Sequence, residues 1–214
     1  MRKIYLAGPD VFLPDAVAVG RRKKELCAEY GFEGLYPFDN EVIANLQGER
    51  IDRLIYRANE TMMHSADMGI FNLTPFRGPS ADPGTVFELG MLVGLGKLVF
   101  GYTNVTSNLL DRTVNSDART DSIRSDWRDA NGMAIENFGN ADNLMIDNSL
   151  IEHGGFAIVR TQTRPDELFQ DLSGFEICLQ HALEAVSNLA ESQQVTARSS
   201  RPVVGPFLSR LMRR

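Results

Sequence analysis

The chain has 214 residues, with 22 Lys+Arg against 28 Asp+Glu for a formal charge of −6, and 43% of it is hydrophobic. That is the composition of an acidic globular protein able to bury a core without staples, and it argues against a nucleic-acid groove as the main surface. No apolar run is long enough to span a membrane, and the N-terminal apolar stretch is too short for a signal peptide. Cys27 and Cys178 form no CxxC pair, so zinc or dithiol chemistry has no support and the cytoplasm is the expected compartment.

From Lys3 to Thr103 short apolar runs alternate with segments of helical period, the pattern of βαβ units on a parallel sheet. "KIYLAG" reads as a buried first strand. Asp15 to Tyr30 reads as a helix stopped by Gly31, a residue suited to the left-handed position beyond a helix end. A second strand is expected near Gly34 to Tyr36. Ile51, Leu54, Ile55, Ala58 and Met62 then share one face, predicting an amphipathic helix packed on the sheet. Met68 to Leu73 gives a third strand, Pro83 to Leu95 a helix, and Lys97 to Tyr102 a fourth strand. Between Asn104 and Asp142 the chain turns polar and loses its period, which reads as a long insertion with short helical pieces, acting as a lid. "NLMI" and "GFAIV" are expected to supply the fifth strand. Phe175, Cys178, Leu179, Ala182 and Val186 form the stripe of a closing helix. Residues 1–189 thus read as one domain carrying the 104–142 insertion, and residues 190–214 as a basic, flexible tail.

Chemistry concentrates in "TPFRGPSADPGTVFELGMLVGLGK", where a glycine-studded loop feeds an otherwise apolar helix. Asp82 followed by Pro83 is a helix start, with Asp as cap and Pro in the first turn. Glu88 has Met91, Leu92 and Leu95 three, four and seven positions on, so its carboxylate lies along an apolar stripe where charge is costly. Near a helix N-terminus the dipole favours the anion while desolvation raises its pKa, the combination expected of a nucleophile or base. Loops after the strands ("AGPDVF", "YPFDNE", "TPFRGPSADPG", "GYTN") gather at the carboxyl end of such a sheet, where ligands bind. Asp67 precedes the third strand and belongs at the opposite end. There is no GxGxxG or P-loop pattern, and His64, His153 and His181 lack metal-ligand spacing, so no cofactor or metal is expected.

"IYLAGPDVF", "YPFDN", "NLTPFRGPSADPGTVFELG" and "NLMI" together resemble the nucleoside 2-deoxyribosyltransferase family. The resemblance implies a flavodoxin-like three-layer α/β sandwich on a five-stranded parallel sheet, and exchange of the base on 2′-deoxynucleosides. It assigns Glu88 as nucleophile, Tyr5 as the residue that orients it, and Asp82 as the holder of the sugar hydroxyls. Phe12, Asp39, Asn40 and Glu41 would line the base site, and Gly8 and Ser80 would also bind substrate. Asn143 and Met145 would be lent by a neighbouring subunit, making the protein a homo-oligomer with shared sites. Some members carry an aspartate that protonates the leaving base where this chain has Asn59, and an amide supplies no proton at neutral pH. Glu41, Asp39, water or the bases themselves are the alternatives. One rival is an N-glycosidase with water as acceptor, acting on a nucleoside or on a nucleotide whose 5′-phosphate meets Arg77 or Ser80. Another is a non-catalytic flavodoxin-like binding module, which lacks here the acidic pair a receiver domain needs.

Overall fold

The structure, a computed structural model, describes residues 1–39, 50–114, 119–121 and 126–199. In chain order its strands are β1 (Arg2–Ala7), β2 (Phe32–Leu35), β3 (Met68–Asn72), β4 (Leu98–Thr103), β5 (Arg119–Asp121), β6 (Asp126–Arg128), β7 (Ala134–Ile135) and β8 (Val159–Arg160). Its helices are α1 (Ala16–Glu29), α2 (Ile51–Ser65), α3 (Pro83–Gly94), α4 (Leu109–Val114), α5 (Leu144–Gly154) and α6 (Ser173–Ser199). Five strands form one parallel sheet in the order β2-β1-β3-β4-β8, the flavodoxin-like order whose crevice lies beyond the carboxyl ends. The expected fold class is therefore present.

Each face of the sheet is covered, as the apolar runs of β1 and β3 require. On one face Met63, Phe71, Leu89, Leu92 and Leu150 join α2, α3 and α5 to the sheet. On the other Leu26, Ile70, Phe100, Phe175 and Leu179 join α1 and α6 to it. Local signals act where expected. Asp15 precedes α1, and Gly31 beyond its end takes φ 80°, open to glycine at no steric cost. Asp82 caps α3 by accepting the Thr85 N–H at 2.9 Å.

Four segments differ from the sequence reading. "NLMI" is no strand: Asn143 caps α5 by accepting the Met145 N–H at 3.0 Å, and Ile146 and Leu150, one turn apart, are buried. A short apolar run has no period of its own, and the cap decides it. Only the "GFAIV" side supplies the fifth strand, β8. The apolar stripe of α2 packs on the sheet only in its last turns, where Met62 and Met63 are buried; Ile51 and Ile55 are 56% and 45% exposed. Within the insertion, α4 is the expected helical piece. The small antiparallel sheet β5-β6-β7 is unforeseen, because "RTD" and "DWR" offer no apolar alternation. Finally, α6 runs to Ser199, past the end of its apolar stripe. Residues 200–214 of the expected tail lie outside the described residues.

Candidate active site

The segments that follow β1 and β2, the first half of α2 and the start of α3 enclose a cleft of about 510 Å³, a size that suits a small organic ligand. Its wall contains Gly8, Val11 and Phe12 from the loop after β1, Pro37 after β2, and Ile55 and Asn59 from α2. Asp82, Gly84, Thr85 and Glu88 complete it from the start of α3. Helix α3 begins there because Asp82 and Pro83 stop the preceding loop, and it carries Glu88 one and a half turns in.

Glu88 is half-buried, and its Oε1 accepts a 2.7 Å hydrogen bond from the Tyr5 hydroxyl on β1. Among the described residues its Oε2 accepts none. Burial pushes the Glu88 carboxyl up to about 7; the Tyr5 bond pulls it down in part, and the Asp82 charge pushes it further up. Burial, with the Glu88 charge second, also drives Tyr5 far above the ordinary phenol range, so Tyr5 stays a donor. Asp82 commits Oδ2 to Thr85, at 2.9 Å from the backbone N–H and 3.1 Å from the hydroxyl, while its Oδ1 has no hydrogen bond among the described residues. The site thus offers two carboxylate oxygens with unused acceptor capacity, one on a carboxylate held near neutrality.

Gly8 belongs to this floor by necessity of space. A Cβ there would stand 2.5 Å from that of Asn72 and would collide with the Asp10 carboxylate. Asp10 itself is fully buried beneath the loop. It accepts from Lys23 Nζ at 2.7 Å, the Tyr36 hydroxyl at 3.2 Å and Asn72 Nδ2 at 3.2 Å, joining α1 to the ends of β2 and β3. Phe12 stacks on Phe76 with ring centroids 5.3 Å apart, and the Arg77 guanidinium lies 5.2 Å from the Phe12 ring and 4.5 Å from the Phe76 ring.

Of the residues singled out from the sequence, Tyr5, Gly8, Phe12, Asn59, Asp82 and Glu88 come together here. The other described ones lie elsewhere. Asp39 pairs with Lys24 at 2.7 Å and accepts the Tyr36 N–H at 3.0 Å, off the cleft wall. Ser80 donates to Asp142. Asn143 donates from Nδ2 to Glu136 at 2.6 Å, and Met145 stands 72% exposed. Asn40 and Glu41 lie outside the described residues. Asp67 accepts the Lys3 N–H at 2.7 Å at the amino end of the sheet, away from the cleft. The described part of the insertion adds no residue to the cleft wall; it braces the loop before α3, with Arg112 Nε donating to the Pro79 carbonyl at 2.6 Å. Ile55 and Thr85 were missed as wall residues, Ile55 because its apolar spacing reads as core. The D-x-G-T pattern around Thr85 was the available signal.

An open parallel sheet with a braced carboxylate in a ligand-sized cleft at its carboxyl edge defines the class of α/β proteins that work at a topological switch point. A family model described as nucleoside 2-deoxyribosyltransferase matches residues 4–145, and the chain belongs to that family. It is 31% identical over 169 residues to an uncharacterized protein of Schizosaccharomyces pombe, covering 73% of this chain and 80% of that one. A solved 2-deoxyribosyltransferase from Leishmania mexicana superposes with a TM-score of 0.56 at 28% identity, covering 79% of this chain and 95% of that one. No helix among the described residues is long and apolar enough to cross a membrane.

Proposed function

We propose that the protein is a 2-deoxyribosyltransferase that exchanges the base of 2′-deoxynucleosides by double displacement at Glu88. The observation that carries this reading is the Glu88 carboxylate, fixed through Oε1 by Tyr5 and open at Oε2, beside Asp82 in the cleft. In the first step Oε2 bonds to C1′ as the C1′–N bond breaks through an oxocarbenium-like transition state, and the base leaves with the electron pair and takes up a proton. In the second, a nitrogen of another base attacks C1′, loses its proton, and returns the electron pair to Glu88. Two inversions preserve the anomeric configuration. Asp82 Oδ1 accepts from a sugar hydroxyl, and Phe12 offers a ring face for the base. Asn59 orients the base without protonating it. The carboxylates of Asp82 and Glu88 on the wall would repel a phosphate placed beside them.

The second half of the proposal is a homo-oligomer in which Asn143 and Met145 complete a neighbour's site. Exposed Ile51, Ile55, Tyr56, Phe87, Leu95, Met145 and Ile151 all lie on the α2, α3, α5 layer that borders the cleft, a concentration of apolar surface that a monomer rarely leaves in water. A covered cleft also excludes the water that would turn transfer into hydrolysis.

The test is incubation of purified protein with a deoxynucleoside, with and without a free acceptor base. Base exchange supports transfer; release without exchange makes the protein a hydrolase; neither leaves a binding module. A 2-deoxy-2-fluoro nucleoside is expected to leave its sugar on the Glu88 peptide, and an adduct elsewhere overturns the assignment. Mixing Glu88→Ala with Asn143→Ala subunits is expected to restore activity, since some sites then receive both intact residues.

A further inference from the structure

We propose that Asp142 is a positioning residue that locks the Asp82 side of its own cleft to the Asn143 segment lent to a neighbour, so that one buried carboxylate sets the geometry of two sites. The inference rests on the shared-site reading above. Asp142 is 1% exposed. Its Oδ2 accepts the Ala81 N–H at 2.8 Å, and its Oδ1 accepts the Asn143 N–H at 2.8 Å and the Ser80 hydroxyl. Ser80 and Ala81 are the two residues before Asp82. One carboxylate therefore holds the residue before the α3 cap and the residue that caps α5, although they are more than sixty positions apart in the chain.

The surroundings fix Asp142 as firmly as it fixes them. Asp147 on α5 accepts the Asp142 N–H at 2.8 Å and the Ala141 N–H at 3.0 Å. Arg112, 3.8 Å from Asp142 Oδ2, donates to the carbonyls of Pro79, Ser107 and Ala141. An apolar cluster would hold this junction at no desolvation penalty, because buried charge is a poor source of net stability. What charge supplies instead is direction: an acceptor-only group with both oxygens engaged permits one arrangement of three donors. An asparagine at this position has one acceptor oxygen, so it cannot satisfy both the Ala81 and Asn143 N–H groups in their present places.

Asp142→Asn is nearly isosteric and tests the lock, and Ser80→Ala removes one strand of it with less risk to folding. Ser80→Ala is expected to keep the wild-type melting profile within a few degrees, while Asp142→Asn, which leaves a buried N–H unmet, melts lower but still folds; both lower kcat/KM, Asp142→Asn by on the order of 10- to 100-fold, as a misplacement of about 1 Å in a catalytic site does. A second readout separates positioning from mere support. Among the described residues Tyr5 on β1 and Asp82 at the start of α3 are the titratable groups that act on Glu88, and Asp82 raises its pKa. Drawing Asp82 away must then move the Glu88 limb of the kcat/KM profile to lower pH, which loss of stability alone does not. The third readout is subunit mixing. In Glu88→Ala/Asp142→Asn hybrids the surviving site has an intact Asn143 segment and only its own Asp82 side disturbed, so its activity is expected to exceed that of a site in the Asp142→Asn homomer. Wild-type kcat/KM with an unmoved limb in both variants overturns the proposal. So does hybrid activity per surviving site equal to the homomer's, when Glu88→Ala/Asn143→Ala mixtures do recover. If those mixtures recover nothing, the shared-site reading fails first, and the two-site claim falls with it while the pH limb still reports on the Asp82 side.

Discussion

Asp10 and Glu88 are two carboxylates at the same end of the same sheet, and they have opposite fates. Asp10 is sealed from water but answered on every side, by the Lys23 ammonium at 2.7 Å and by the hydroxyl of Tyr36 and the amide of Asn72. Glu88 is less buried yet, among the described residues, answered only by Tyr5, and its carboxyl is pushed up to about 7 by burial. Depth alone does not make a carboxylate reactive. What distinguishes them is whether the structure neutralises the charge it has desolvated, and only at Glu88 is that left for a ligand to do.

Replacing each in turn is the most direct way to break the contrast. Glu88→Gln is expected to reduce base exchange by at least roughly a thousandfold, since a nucleophile has no substitute; turnover near wild type in a purified sample refutes its role. The same change is expected to leave the fold as stable or more so above neutrality. With the native pKa raised, the folded state holds its proton more tightly than the unfolded chain does. Stability therefore falls as pH rises from about 4.5 to about 7, by about 3 kcal/mol in all, and Glu88→Gln abolishes that slope in urea titrations. Asp10→Asn should do the reverse, destabilising by about 3–5 kcal/mol at all these pH values because Lys23 is left buried and unpaired. The double change Asp10→Leu/Lys23→Met is expected to recover much of that loss, and a double variant as weak as the single ones would show that Asp10 matters for its neutral partners instead.

Smaller effects sharpen the comparison. On the proposed mechanism Glu88 attacks as the carboxylate, so kcat/KM is expected to rise with pH through about 7. Tyr5→Phe deletes the one bond that lowers the Glu88 pKa, so the limb should move to higher pH and kcat/KM below it should fall by roughly tenfold. An unmoved limb would mean that Tyr5 only packs. The smallest change is expected from Arg77→Ala, which removes an exposed cation from the Phe12 and Phe76 rings. An interaction of about 0.5–1 kcal/mol predicts a rise of roughly two- to fivefold in KM at unchanged kcat.

This contrast also marks where sequence reading reaches. The strands and crossover helices of the sheet are legible because their apolar residues recur at periods that only one structure satisfies. Glu88 is legible for the opposite reason, as a charge standing where the period demands an apolar residue. Its partner Tyr5 is fixed only by resemblance, since nothing local in "KIYLAG" marks a hydroxyl that reaches α3. Lys23 is hidden altogether: it stands in the basic run Arg21 to Lys24, which reads as solvated, and only tertiary packing turns one of the four inward. Asp142 is hidden by distance, its partners Ser80 and Ala81 lying in another loop. "NLMI" fails as a strand because a single side-chain cap at Asn143 outweighs a short apolar run.

Lys97 gives the cleft a mechanical character. Its ammonium donates to the carbonyls of Met63 at 2.7 Å, His64 at 2.6 Å and Ala66, and so clamps the last turn of α2 to the turn before β4. The first turns of the same helix leave Ile51 and Ile55 exposed, and Tyr56 meets the Phe87 ring of α3 at 6.5 Å. A rod pinned at one end is a lever: at about 1.5 Å of rise per residue, the ten residues from Ile55 to His64 set an arm of roughly 15 Å. A tilt of a few degrees about that pin corresponds to about an ångström at Ile55, so the Lys97 clamp fixes the position of a cleft-wall residue that lies far from it along the helix.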